Sequence, residues 1–190
     1  MKQSLVLTLL LSGCATYGTE TAQPRQVEES RNAAKSLTAQ LGGKLKAEIG
    51  RKGPASAVGV CKEIAPQIAA SLSRETGGKV GRVGTRVRNP KTGTPDTWEA
   101  KALATFDTRM KQGETPDTME LAEVVTEPSG KYLRYAKAVA VQPQCLTCHG
   151  PTDSIPEGVK ARLQAEYPMD RATGYQAGEL RGAVVVKRPL

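Results

Sequence analysis

The sequence predicts an α+β domain in which helices come first and an antiparallel sheet, interrupted by short helices, follows. Three observations predict it. Apolar residues recur at helical spacing over residues 27–49 and again over 54–74. Two strand-like runs, "MELAEVVT" and "KYLRYAKAVAV", flank the turn "EPSG" as a hairpin would. A last apolar run, "GELRGAVVVKR", closes the chain as a further strand.

The N-terminus, "MKQSLVLTLLLSGCAT", sets Lys2 before an apolar run from Leu5 to Leu11 that is too short to span a bilayer. The run ends on Leu11-Ser12-Gly13-Cys14, which looks like the lipobox of a bacterial lipoprotein signal. An ordinary signal peptide that happens to hold a cysteine is the competing reading. On the lipobox reading residues 1–13 are the signal peptide, Cys14 takes the lipid, and polar residues 14–26 form a tether to a domain over 27–190. Ala15 follows the cysteine, where Asp commonly retains such proteins at the inner membrane. The expected location is therefore periplasm-facing and lipid-anchored, at the outer membrane.

In the first helix Ala34, Leu37, Leu41 and Leu45 share one face, weakened at Gly42-Gly43. "RKGP" breaks the chain, and Pro54 suits the first turn of the next helix. That helix carries Ala57, Cys61, Ile64, Ala65, Ile68 and Leu72 on its apolar face and ends at Gly77-Gly78. Pro66 inside it removes one backbone hydrogen bond and predicts a kink. A strand-like stretch, "KVGRVGTRVRNP", holds Lys79, Arg82, Arg86 and Arg88 without an acid. "TPDTWEAKALATFDTRMKQ" starts a helix well, with Thr94 or Asp96 as cap and Glu99 in its first turn. After the hairpin come a loop and a short helix, "PEGVKARLQAEYP".

That loop holds "QPQCLTCHGP" and with it the chain's single histidine, His149, behind Cys145 and Cys148. Cys-x-x-Cys-His is the attachment signature of c-type haem: two thiols add to the vinyl groups and the histidine turns under the iron. One motif implies one haem. A buried cofactor would also help fill a core built from few aromatics, 4% of the chain. Other readings compete. A redox-active Cys-x-x-Cys normally opens a helix after a strand, whereas this one sits in a proline-flanked loop. A zinc site could draw on Cys61, Cys145, Cys148 and His149, although Cys148 and His149 are adjacent and awkward partners for one tetrahedral ion. A disulfide between Cys145 and Cys148 would leave Cys61 orphaned in an oxidising compartment.

With no second histidine, the other side of the iron falls to Met110, Met119, Met169, Cys61, a lysine, a tyrosine or water. Met169 is the conventional choice for an electron carrier. Cys61 lies on the apolar face of a helix. A free cysteine there is ordinarily a small hydrophobe, yet in this compartment metal binding would shield it from mispairing. The basic stretch from Lys79 to Lys91, Arg86 and Arg88 foremost, together with Tyr132, Arg134 and Tyr135, is a candidate to meet haem carboxylates, with plain surface exposure as the alternative. Net charge is +8, from 27 basic against 19 acidic residues. A solvated surface accounts for that, and the export signal sets nucleic-acid partners aside.

"VCKEIAPQIA" in a helix, "RVRNPKTGTPDTWE", "CLTCHG" and the closing "GELRGAVVV" together resemble a family of periplasmic c-type haem domains, long catalogued as a domain of unknown function and often fused to membrane histidine kinases. The resemblance runs from about residue 30 to 188. It implies a PAS-like fold, and axial ligands that correspond here to His149 and Cys61. The spacer "KTGT" is slightly longer than that family's pattern. The expectation is a single-haem protein that senses redox state or gas, or exchanges electrons at low potential, and is not an enzyme. No output domain follows in the chain, so sensing would require a separate signalling or redox partner, and the membrane is met through the lipid alone. The alternatives are an electron-transfer cytochrome c with Met/His ligation and, with no distal histidine to supply acid/base chemistry, a haem peroxidase.

Overall fold

A computed structural model describes residues 21–190. The expected signal peptide 1–13, Cys14 and the first part of the tether lie outside the described residues. Helix α1 spans Pro24–Lys52, starting at Pro24 because the ring presets the helical φ where no N–H partner is needed. A turn leads into α2 (Ala57–Gly59), a wider π turn (Val60–Ile64) and α3 (Ala65–Thr76), which run on from one another. Strand β1 (Lys79–Gly84), the short α4 (Pro90–Gly93) and α5 (Thr97–Lys111) follow. The hairpin is β2 (Glu120–Glu127) and β3 (Gly130–Ala140). Helices α6 (Leu146–His149) and α7 (Glu157–Glu166) lead to β4 (Leu180–Pro189).

The four strands form one antiparallel sheet in the order β1-β4-β3-β2, with the C-terminal strand in its interior. The predicted α+β class is what the chain adopts, and the arrangement is consistent with a PAS-like fold. Both faces of the sheet are covered. Val80, Tyr135, Val184 and Val186 meet Ala34, Leu37 and Leu41 of α1 and Ile68 and Leu72 of α3. Val83, Ala136, Ala138, Ala183 and Val185 meet Leu103 and Phe106 of α5 and Met119. Each fully buried Val, Leu or Phe contributes roughly 1.5–3 kcal/mol, so these two layers hold the sheet without help from the haem-motif loop.

Polar residues fix the layers. Asp96 accepts from Glu99 N–H while Glu99 accepts from Asp96 N–H, a capping box that starts α5 as predicted. Arg134 is buried against Asp96 (2.5 Å), Glu99 (3.6 Å) and Glu127 (2.7 Å). Arg31 of α1 pairs with Glu120 of β2 at 2.5 Å, and the Tyr135 hydroxyl donates to the same carboxylate at 2.7 Å. The Arg31 hydrogen bond holds Glu120 down to about 2.

Two departures from the expected elements bear on the site. The predicted kink at Pro66 is instead a π turn, in which Ala65 N–H reaches back to Val60 O. Widening the helix there relieves the clash of the proline ring with the preceding turn and absorbs its missing N–H. Cys61 lies inside that turn. The second departure is a register shift between Val139 and Ala140 opposite β4. Leu180 and Ala183 both belong to the α5 face despite their odd spacing, so the irregularity turns the Arg181–Gly182 segment between them. Gly182 has φ +152°, and a Cβ there would sit 2.0 Å from Val83 O. No other residue fits.

Candidate haem-binding site

The motif loop is compact. A single 3₁₀ turn at Pro143–Cys145 runs into α6, which ends on His149. Gly150 then reverses the chain, and a Cβ on it would lie 2.6 Å from Leu146 O, so the glycine behind the histidine is a steric requirement. The loop sits between two small apolar clusters. Cys145 and Leu146 pack on Val141, Ala172 and Tyr175. Cys148 packs on the cluster of Val58, Ile155, Val159, Leu163 and Tyr167, which joins α2 to α7. Both cysteines and Cys61 are half-buried free thiols.

His149 is held by a segment without regular structure. Tyr175 N–H donates to His149 O at 2.9 Å and Gly174 N–H to Gly150 O at 2.7 Å. Ala172 O accepts from the His149 ring at Nδ1, 2.6 Å away. A carbonyl only accepts, so Nδ1 carries the proton and Nε2 keeps its lone pair. The buried Tyr175 ring meets the imidazole edge-on, with centroids 6.2 Å apart and planes at 85°. Burial lowers the His149 pKa to about 3, with Arg88, Arg181 and Arg82 pushing the same way and Ala172 opposing.

Arg88 is buried and donates three hydrogen bonds. Its Nε donates to Asp170 at 2.9 Å, and its Nη2 donates to Cys148 O at 2.6 Å and to Ala172 O at 3.3 Å. Asp170 also accepts from Ala172 N–H at 2.7 Å. Arg86 is exposed; it donates to Thr173 O at 2.9 Å and lies 4.3 Å from the Tyr175 ring centroid. The two arginines singled out in the sequence therefore brace the loop around His149. Arg82 behaves differently. It keeps contact with solvent, yet crowding by protein atoms lowers its pKa, against the opposing pull of Cys61 and Tyr167. Among the described residues it has no hydrogen-bond or ion-pair partner. Arg181, turned by the β4 irregularity, donates to Arg86 O at 3.0 Å and stands 5.4 Å from the Tyr175 centroid.

Cys61 lies near enough to Arg82, Cys148 and Tyr167 to act on the charge of each. Burial pushes the Cys148 thiol up, Arg88 opposes, and both Cys61 and Cys145 add to the rise. Tyr167, pushed up to about 12 first by burial and next by Cys61, stands alongside. The fold thus brings Cys61 of the π turn, Arg82 of β1, Cys148 and His149 of α6 and Tyr167 at the end of α7 into one neighbourhood.

The other predicted partners lie elsewhere. Met119 is fully buried under α5, and Met110 packs on the same cluster across the sheet. Met169 is 68% exposed. Arg134 and Tyr135 are buried in the networks described above, and Tyr132 is at the hairpin turn, its hydroxyl donating to Ser129. Among the described residues, no three His, Cys, Asp or Glu side chains gather closely enough to hold a metal ion, so the three-cysteine, one-histidine zinc set is not assembled. Sequence reasoning missed Asp170, Ala172 and Tyr175, whose segment carries no periodic signal. It noted Arg82 in the basic run without ranking it. The signal that finds Arg82 is its place two residues from Val80, on the same face of β1.

The family model described as Tll0287-like matches residues 15–189. The chain belongs to the Tll0287-like family. The crystal structure of the cyanobacterial heme-protein Tll0287 matches with a TM-score of 0.67 and 27% identity, over 88% of this chain and 97% of that chain. No curated protein matches the chain. The sequence resemblance to a haem-domain family is borne out to that extent, and the Tll0287-like fold is where its motif residues now have positions. No helix among the described residues is long and apolar enough to cross a membrane.

Proposed function

We propose that this chain carries one covalent haem c, attached through Cys145 and Cys148, with His149 and Cys61 as axial ligands, and that it works as a redox or gas sensor. The observation that carries the reading is the His149 ring: its Nδ1–H is committed to Ala172 O, leaving a neutral Nε2 for a metal, as second-shell carbonyls do for histidine ligands. The residues present fit the group. Two half-buried free thiols precede that histidine, and a third, Cys61, lies near enough to Cys148 to push its thiol up. The printed description of the matched structure as a heme-protein supports the same reading.

Bound haem would supply a one-electron couple whose potential is set by its axial ligands. The rest falls to the chain. His149 is oriented by Ala172 and Tyr175. Cys61 would hold the oxidised iron as thiolate, and its place in the π turn would couple any loss of that bond to the helix. Arg82 and Arg181 would hold the haem carboxylates, since Arg86 and Arg88 are engaged with the loop. Lipid attachment through Cys14 would place the domain in the periplasm at the outer membrane, with a separate protein as the signalling or redox partner. Methionine ligation would need the exposed Met169 to move, since Met110 and Met119 are across the sheet.

The test is expression with a c-type maturation system followed by mass analysis of the denatured chain. The reading expects a mass increase of one haem that survives acid–organic extraction, and its loss when Cys145 and Cys148 are both changed to Ala. An unmodified wild-type chain, or haem that extracts freely, would overturn it.

A further inference from the structure

The structure assigns Arg88 a role as a positioning residue that sets the donor strength of His149 through the Ala172 carbonyl; the inference rests on the haem reading above. Ala172 O receives two hydrogen bonds, from His149 Nδ1 at 2.6 Å and from Arg88 Nη2 at 3.3 Å. A carbonyl shared with a guanidinium has less electron density to offer the imidazole than one serving the imidazole alone. A histidine ligand gains basicity as its second-shell acceptor strengthens, so Arg88 restrains the drift of His149 toward imidazolate.

The geometry is built for this. One carboxylate, Asp170, holds both halves of the arrangement: Oδ2 takes Arg88 Nε at 2.9 Å and Oδ1 takes Ala172 N–H at 2.7 Å. The same Arg88 Nη2 donates at 2.6 Å to Cys148 O, the carbonyl immediately before His149. One guanidinium therefore fixes the residue that precedes the ligand and the acceptor that orients it. The Arg88 and Asp170 side chains are only 9% and 10% exposed. A buried ion pair is weak grounds for stability by itself, and here both partners spend their remaining bonds on the histidine's immediate surroundings.

Reduction potentials and ferric EPR spectra of the matured protein test it, using Arg88→Gln, Arg88→Lys and, as the matched loss of one charge on the same loop, Arg171→Gln, an exposed position. Arg88→Gln should shift the potential further downward than Arg171→Gln and alter the g-values, while Arg171→Gln leaves the g-values as in wild type. Arg88→Lys, which keeps the charge, should fall between Arg88→Gln and wild type. Equal potential shifts with unchanged g-values in Arg88→Gln and Arg171→Gln would overturn the role. Should Arg88→Gln fail to mature, wild-type values for Arg88→Lys in both readouts would overturn it equally. A wild-type chain that acquires no haem defeats the haem reading itself, and this inference with it.

Discussion

His149 is kept neutral by burial and by the arginines around it, while the Ala172 carbonyl, which pulls the other way, fixes which nitrogen carries the one proton. The consequence for stability has a definite sign. An unfolded histidine titrates near pH 6.5, whereas the native ring resists protonation until about 3. Between those values the unfolded chain binds the extra proton, so stability is full above pH 6.5 and falls as the pH drops. His149 is the single histidine. Urea midpoints of the haem-free chain should therefore decline between pH 7 and 5, and His149→Gln should flatten that limb; an equal decline in both proteins would refute the assignment. Tyr175 is the other residue on which the loop depends. Its hydroxyl accepts from Arg86 N–H at 2.9 Å and pairs with Thr85 Oγ1 at 2.8 Å. Tyr175→Phe leaves both without that partner and should cost about 1–3 kcal/mol in equilibrium unfolding.

At the scale of elements, the π turn and the β4 irregularity aim the site. Gly182→Ala demands a Cβ where Val83 O already lies and a φ that L-residues avoid. It should cost at least about 2 kcal/mol and loosen β1 against β4, read as faster amide exchange over residues 79–84. Asp96→Ala removes the N-cap of α5, worth about 1 kcal/mol, and also takes an anion from buried Arg134. Asp96→Asn, which keeps the cap, should lose less. Element order, the hairpin and the α5 capping box were legible because propensity, periodicity and capping are local. The π turn was not, because a helical wheel assumes one period throughout, and Pro66 announces a disturbance without saying how the helix absorbs it. The roles of Arg86 and Arg88 were likewise hidden: their partners Thr173, Asp170 and Ala172 sit in a loop whose path is set by tertiary contacts alone.

For the whole molecule, the two large apolar layers lie between the sheet and α1/α3 or α5, apart from the motif loop. The motif itself rests on two small clusters. A chain with Cys145 and Cys148 both changed to Ala should therefore still fold its sheet. Its amide protection should drop chiefly over residues 143–176, while β3 and β4 stay protected; uniform loss across the chain would show that the cofactor organises the entire core. The Cys-x-x-Cys-His motif was plain in the sequence because its spacing is local. That Cys61, eighty-odd residues earlier, lies near enough to Cys148 to act on its thiol needed the fold.

The central claim is that Cys61 and His149 face the same iron. Ferric EPR of the matured wild-type protein, set beside Cys61→Ala, tests it most directly. The account predicts a low-spin signal with the narrow g-spread of thiolate ligation, lost in Cys61→Ala while the covalent haem remains. A broad low-spin or a high-spin signal in wild type, unchanged by the substitution, would contradict it.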